Sequence, residues 1–107
     1  MEVVVSPGYF SHGQRFFEVF NPDYTVGVAC SMSGIIVGLH LSDEVLDESD
    51  EWLATEILRL ARLARMKSEV GRRQALLDDG MLPHAVEARG LPSEADYRRA
   101  EAAEFGE

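Results

Sequence analysis

The sequence predicts an α+β fold: a three-stranded antiparallel meander, four-stranded if the extreme N-terminus joins it, then one long amphipathic helix and a helical C-terminal tail. Three observations carry this. Apolar residues alternate through Phe16–Leu41, as they do in half-buried strands. Turn-forming residues break that stretch at Asn21-Pro22-Asp23 and at Ser33-Gly34. Beyond Asp50 the period changes, and Leu53, Ile57, Leu60, Ala61 and Ala64 recur at three- and four-residue spacing on one helical face.

Taken in order, Glu2–Val5 is a β-branched run stopped by Ser6-Pro7-Gly8, which suits a brief edge strand or an ordered arm. Residues 16–21, 24–31 and 35–41 form the meander. In the second strand Val26, Val28 and Cys30 share a face opposite Thr25, Gly27 and Ala29. In the third, Ile35, Val37, Leu39 and Leu41 oppose Ile36, Gly38 and His40. Gly34 supplies the positive φ that a tight hairpin needs.

The long helix is expected over residues 50–78. Ser49 can accept from the free amides of its first turn, Asp50 and Glu51 suit the positive end of the helix dipole, and Gly80 marks the stop. At roughly 1.5 Å per residue such a helix spans about 42 Å, against about 27 Å for an eight-residue strand. It must overhang its sheet. Beyond Ala64 the apolar stripe rotates to Met66, Val70 and Leu77, and either a second subunit or the chain's own tail has to cover it. This divides the chain into a core, residues 1–80, and a tail, residues 81–107. In the tail, Met81–Arg89 reads as a short helix with Pro83 in its first turn. Ser93 then caps a last helix, Glu94–Phe105, with Asp96 placed to complete a capping box. Tyr97 and Phe105 are its main apolar anchors, which suggests weak docking or a wait for a partner.

A chain of 107 residues with a net charge of −9 is one acidic domain, large enough for a core without disulfides or metals. Its single cysteine, Cys30, fits a reducing cytoplasm. No apolar run approaches the roughly 18–20 residues of a membrane span, and Met1–Ser6 lacks the features of a signal peptide. The expectation is therefore a cytoplasmic protein without membrane insertion. The charge is banded. Asp43, Glu44, Asp47, Glu48, Asp50, Glu51 and Glu56 are followed by Arg59, Arg62, Arg65, Lys67, Arg72 and Arg73, and the tail is acidic again. A basic helix face of this kind is ordinarily a solvated one; its alternative use is phosphate neutralisation.

Signatures of catalysis are missing, so the expectation is no enzyme and no cofactor. His12, His40 and His84 lack metal-ligand spacing, Cys30 sits on the apolar face of a strand, and no glycine-rich loop precedes a GK[ST].

With these elements placed, a family comes into view. Phe17-Glu18-Val19-Phe20-Asn21-Pro22, the strand Ile35–Leu41, Leu53-Ala54-Thr55-Glu56-Ile57 and Leu63-Ala64-Arg65-Met66-Lys67 resemble the EspD/EspH-type proteins of mycobacterial type VII (ESX) secretion systems. Gly90-Leu91-Pro92-Ser93-Glu94 and Ala100–Phe105 look like the same family's C-terminal signature. The chain departs from that pattern by starting almost directly at the sheet, without the long acidic N-terminal region of those members. Sheet followed by long helix is also similar to the YbaB-type nucleoid-associated fold, a small homodimer, although that fold's N-terminal helix is not evident here; the similarity favours a homodimer for this chain.

The resemblance implies a non-enzymatic, chaperone-like accessory that binds or stabilises secreted substrates and can itself be exported. In that reading Met66, Val70 and Leu77 form the partner or dimer interface, open to a helix laid in a groove. Tyr97 and Glu101 fit a YxxxD/E pattern that looks like the type VII export signal. The alternative is a YbaB-like DNA binder using Arg59, Arg62, Arg65 and Arg73, against which the acidic flanks argue.

Overall fold

The computed structural model describes residues 15–106 and the backbone of the strand Glu2–Val4. Four strands, β1 (Glu2–Val4), β2 (Phe16–Phe20), β3 (Val26–Ser31) and β4 (Ile36–Leu41), form one antiparallel sheet in the order β1-β4-β3-β2. The N-terminal run is thus an edge strand, Val3 opposite Leu39 of β4. Its expected last residue, Val5, the Ser6-Pro7-Gly8 stop and His12 lie outside the described residues.

Two strand boundaries differ from expectation, each for a local reason. The segment expected to be strand from Tyr24 begins at Val26. The Tyr24 amide donates to the Asn21 carbonyl at 3.0 Å and Tyr24 sits at φ 60°, which puts Tyr24 and Thr25 in the turn. Likewise Ile35 does not point into the core as the alternation implied. It closes the Ser31–Ile35 turn, with Gly34 at φ 85°, and is 61% exposed. The ladder is irregular there: Ala29 faces Gly38, yet Cys30 faces Ile36, so Val37 is an extra residue of the bulge type. Val37 and Leu41 are nonetheless buried, and Leu39 packs against the core.

Helix α1 runs Asp50–Asp78, matching the expected span. The Ser49 hydroxyl accepts from the Trp52 amide at 3.1 Å. At the far end Met81 N–H donates to Leu76 O and Gly80 N–H to Leu77 O, both at 3.0 Å, with Gly80 at φ 95°: a Schellman closure that only glycine adopts without strain. A short 3₁₀ helix, Asp43–Asp47, precedes α1 and buries Val45, an element hidden in the sequence by its acidic neighbours.

The core lies between one face of the sheet and α1. Val19, Val26, Val28 and Cys30 meet Leu60, Leu63 and Ala64, with Leu53, Ile57 and Ala61 partly buried around them. Each buried Val or Leu contributes on the order of 1.5–3 kcal/mol of transfer free energy, and this contact stabilises the fold most.

Helix α2 is the single turn-and-a-half Pro83–Glu87, shorter than the expected 81–89, and α3 is Glu94–Phe105. The capping box forms as expected: Asp96 N–H donates to Ser93 Oγ at 3.1 Å and Ser93 N–H to Asp96 Oδ2 at 2.9 Å. Helix α3 does not wait free. It lies along α1, and Tyr97, only 5% exposed, enters the same hydrophobic cluster, with Ala100 and Phe105 beside it.

Candidate protein-binding surface

One corner of the molecule is fixed by a buried polar network centred on Asn21. Its side-chain oxygen accepts from the amides of Thr25 at 2.9 Å and Val26 at 3.0 Å, which shapes the β2–β3 turn. Its amide nitrogen lies 2.9 Å from Thr25 Oγ1 and 2.8 Å from Glu56 Oε2 on α1. Glu56, itself buried, pairs through Oε1 with Arg59 Nε at 2.6 Å. Arg59 then donates to the Glu104 carbonyl of α3 at 2.9 Å, its guanidinium 4.9 Å from the centroid of the Phe105 ring. A turn, α1 and α3 are thereby joined through three side chains. Asn21 and Glu56 read in the sequence as turn chemistry and surface acid. No local signal could have joined residues 35 positions apart.

That network changes what the basic face can be. Arg59 is committed to Glu56 and α3, and Arg73 is ion-paired with Glu87. Arg62 and Arg65 remain exposed. The four expected arginines are therefore divided between internal contacts and solvent.

The expected interface residues are placed on the chain's own seams. Met66 and Val70 are partly buried against the hydrophobic cluster, and Leu77 is half-buried near the end of α1. Val70 also lines an open cleft of about 600 Å³ with Phe17, Lys67, Gly71, Arg73 and the start of α3. A second cleft, about 420 Å³, lies beyond Lys67, walled by Phe20, Tyr24, Tyr97, Phe105, Glu18 and Glu101. Lys67 lines both, and its ammonium donates to the Glu18 carbonyl of β2 at 3.0 Å. Gly71 lets α1 approach β2 closely, since a Cβ there would collide with the distal ring atoms of Phe17.

Tyr97 and Glu101 come together through one turn of α3, the phenol donating to Glu101 Oε2 at 3.1 Å. Burial, then the neighbouring Glu101 carboxylate, pushes the Tyr97 phenol well above its ordinary range. The Ser93 backbone and hydroxyl donors hold Asp96 below the usual carboxylate range. Burial pushes the Cys30 thiol up, opposed by the charge of Arg65. Among the described residues no group of three or more His, Cys, Asp and Glu gathers as metal ligands would, and no helix is long and apolar enough to cross a membrane.

Fold and surface define an α+β domain whose buried polar groups tie its elements together and whose open clefts follow the edge of its sheet. Over 102 aligned residues it is 36% identical to the ESX-1 secretion-associated protein EspD of Mycobacterium tuberculosis, in strains CDC 1551 / Oshkosh and ATCC 25618 / H37Rv alike. The alignment takes in 83% of this chain and 55% of the relative, so the chain spans about half the length of the curated relatives it matches. Over the region they share, the chain belongs to the EspD-type ESX secretion-associated family. No family model matches the chain, and no solved structure does.

Proposed function

We propose that this domain is a non-enzymatic accessory of type VII (ESX) secretion, acting in the cytoplasm by binding a protein partner of the secretion process. The observation that carries this is the 36% identity to EspD, a protein whose name associates it with ESX-1 secretion. The physical design agrees with a binding role: polar groups are spent on fixing elements, while the two open clefts beside Lys67 offer apolar, aromatic and charged walls to an incoming chain. Whether the protein itself leaves the cell belongs to the same proposal. Tyr97 is buried and bonded to Glu101, so a receptor that grips Tyr97 must first lift α3 from α1.

The test is to purify a tagged copy from the cytosol of an actinobacterial host and identify what accompanies it. Recovery of ESX-related proteins that survives nuclease supports the accessory reading. DNA lost in high salt, with no such protein, overturns it and moves attention to Arg62 and Arg65.

A further inference from the structure

Among the described residues β2 ends the sheet. The Asn21 amide donates to the Val26 carbonyl of β3, and backbone groups alternate in direction along a strand. Phe17 and Val19 therefore face β3, and the N–H and C=O of Glu18 and Phe20 point away from the sheet. An outward strand edge is a template for another strand. Here it runs beside the two clefts, and among the described residues the only donor at the Glu18 carbonyl is a flexible side chain, that of Lys67. A lysine holds such a position by one hydrogen bond and returns readily to water, leaving the edge open.

We propose that the groove between β2 and α3 receives an extended segment of a partner protein, paired to β2 as a fifth strand, with a basic side chain in the aromatic cleft and an apolar one in the cleft floored by Val70. An incoming strand displaces Lys67 and bonds to Glu18 and Phe20 through its backbone. Charge complementarity sets the rest. The aromatic cleft presents Glu18 and Glu101 beside the rings of Phe20 and Tyr24, surroundings that favour a lysine or arginine by ion pairing and cation–π contact, in a chain of net charge −9. The wider cleft presents Phe17, Val70 and Gly71, and its charged walls are already occupied, Arg73 by Glu87 and Glu94 by Arg98. A helical partner, the form expected from the apolar stripe alone, would leave the outward backbone groups of β2 unused. This inference deepens the protein-binding reading above and rests on it.

The test pans the purified full chain against a phage library of random 12-residue peptides and measures the most enriched peptide by fluorescence polarisation. Enriched peptides should carry alternating basic and apolar residues. Glu18→Pro removes an outward donor at a position where an edge strand tolerates proline, and should weaken binding about tenfold or more, as loss of a central interface contact does. Glu18→Ala keeps the backbone donor and should lose only the rim charge, a few-fold effect. Lys67→Met frees the Glu18 carbonyl and should tighten binding. Hydrogen exchange gives a readout that needs no variant: the Glu18 and Phe20 amides should become protected when peptide binds.

No enriched peptide, equal binding by wild type and Glu18→Pro, or unprotected Glu18 and Phe20 amides would each overturn the proposal. So would a Lys67→Met variant that self-associates without binding peptide better, since Lys67 would then serve only to block edge aggregation. The host purification separates this from the broader reading. ESX-related proteins retained equally by wild type and Glu18→Pro overturn the groove and leave the accessory function standing; their absence from wild type overturns the accessory function itself.

Discussion

The two sides of α1 are built from different materials. Toward the sheet it presents Leu60, Leu63 and Ala64 to Val19, Val26, Val28 and Cys30, a dry contact in which almost every atom is apolar. Toward α3 it presents Arg59, bound to Glu56, the Glu104 carbonyl and the Phe105 ring, with Tyr97 the main apolar anchor. Apolar contact is non-directional and scales with buried area, so it holds the layers together. Hydrogen bonds to charged groups add less net stability but demand one geometry, so they fix where the turn and α3 sit on the helix. Cohesion comes from one side and placement from the other.

The most damaging way to break that contrast is at the dry side. Leu60 is fully buried at its centre, and Leu60→Ala should cost about 2–5 kcal/mol through lost transfer energy and the cavity left behind. Urea denaturation should show the whole domain unfolding at a lower midpoint, sheet and helix together.

On the polar side, Asn21→Ala leaves the Val26 amide without its acceptor, the Thr25 amide with only the longer bond to Asp23 Oδ1 at 3.3 Å, and the buried Glu56 with Arg59 alone. A loss of about 2–3 kcal/mol is expected, since each unsatisfied buried group costs roughly 1–3 kcal/mol. Asn21→Asp sharpens the point. It keeps the acceptor for the turn but replaces the hydrogen bond to Glu56 with a second carboxylate beside it, so like-charge repulsion should lower its thermal midpoint well below that of wild type.

Tyr97→Phe keeps the ring and deletes the bond to Glu101, with an expected cost of about 0.5–1.5 kcal/mol. Its pH signature is more telling. The folded phenol ionises above the ordinary pKa of about 10, so the unfolded chain gives up its proton first. The stability that Tyr97 contributes is complete below pH ~10 and is lost as the pH climbs toward the raised folded value. Alkaline melts of wild type should show this extra decline, and Tyr97→Phe should lack it.

At Val70→Asp the expected effect on the fold is modest. Val70 is only partly buried and borders the wide cleft, so its cost in stability should stay within about 1–2 kcal/mol. Its effect on partner binding should be larger than its effect on melting temperature. Equal binding by Val70→Asp and wild type in the host purification would remove Val70 from the interface.

Much of this molecule was legible from periodicity. The span of α1, its Ser49 cap, its Gly80 stop, the capping box at Ser93 and the inward face of β3 follow from residue types at fixed short spacings. The same reasoning misplaced Ile35, because a two-residue alternation carries no notice of the irregularity at Cys30. It left open whether a second subunit or the chain's own tail covers Met66 and Val70; both pack against the hydrophobic cluster that Tyr97, Ala100 and Phe105 of the tail also join. The resemblance to ESX secretion proteins was likewise readable, since it lay in the order of short segments along the chain.

By itself, then, the amino-acid sequence determined the order of the main strands and helices, the ends of α1 and α3 and the family, because caps, turns and amphipathic faces are set by neighbours within about four residues. Tertiary structure alone decided that Asn21 would hold Glu56, that Arg59 would be spent on α3, and that Lys67 would stand at the outward edge of β2. These contacts join residues 35, 45 and 49 positions apart. Such pairs form only once the apolar core has closed the intervening chain, and a polar side chain carries no sequence mark of which distant group will meet it.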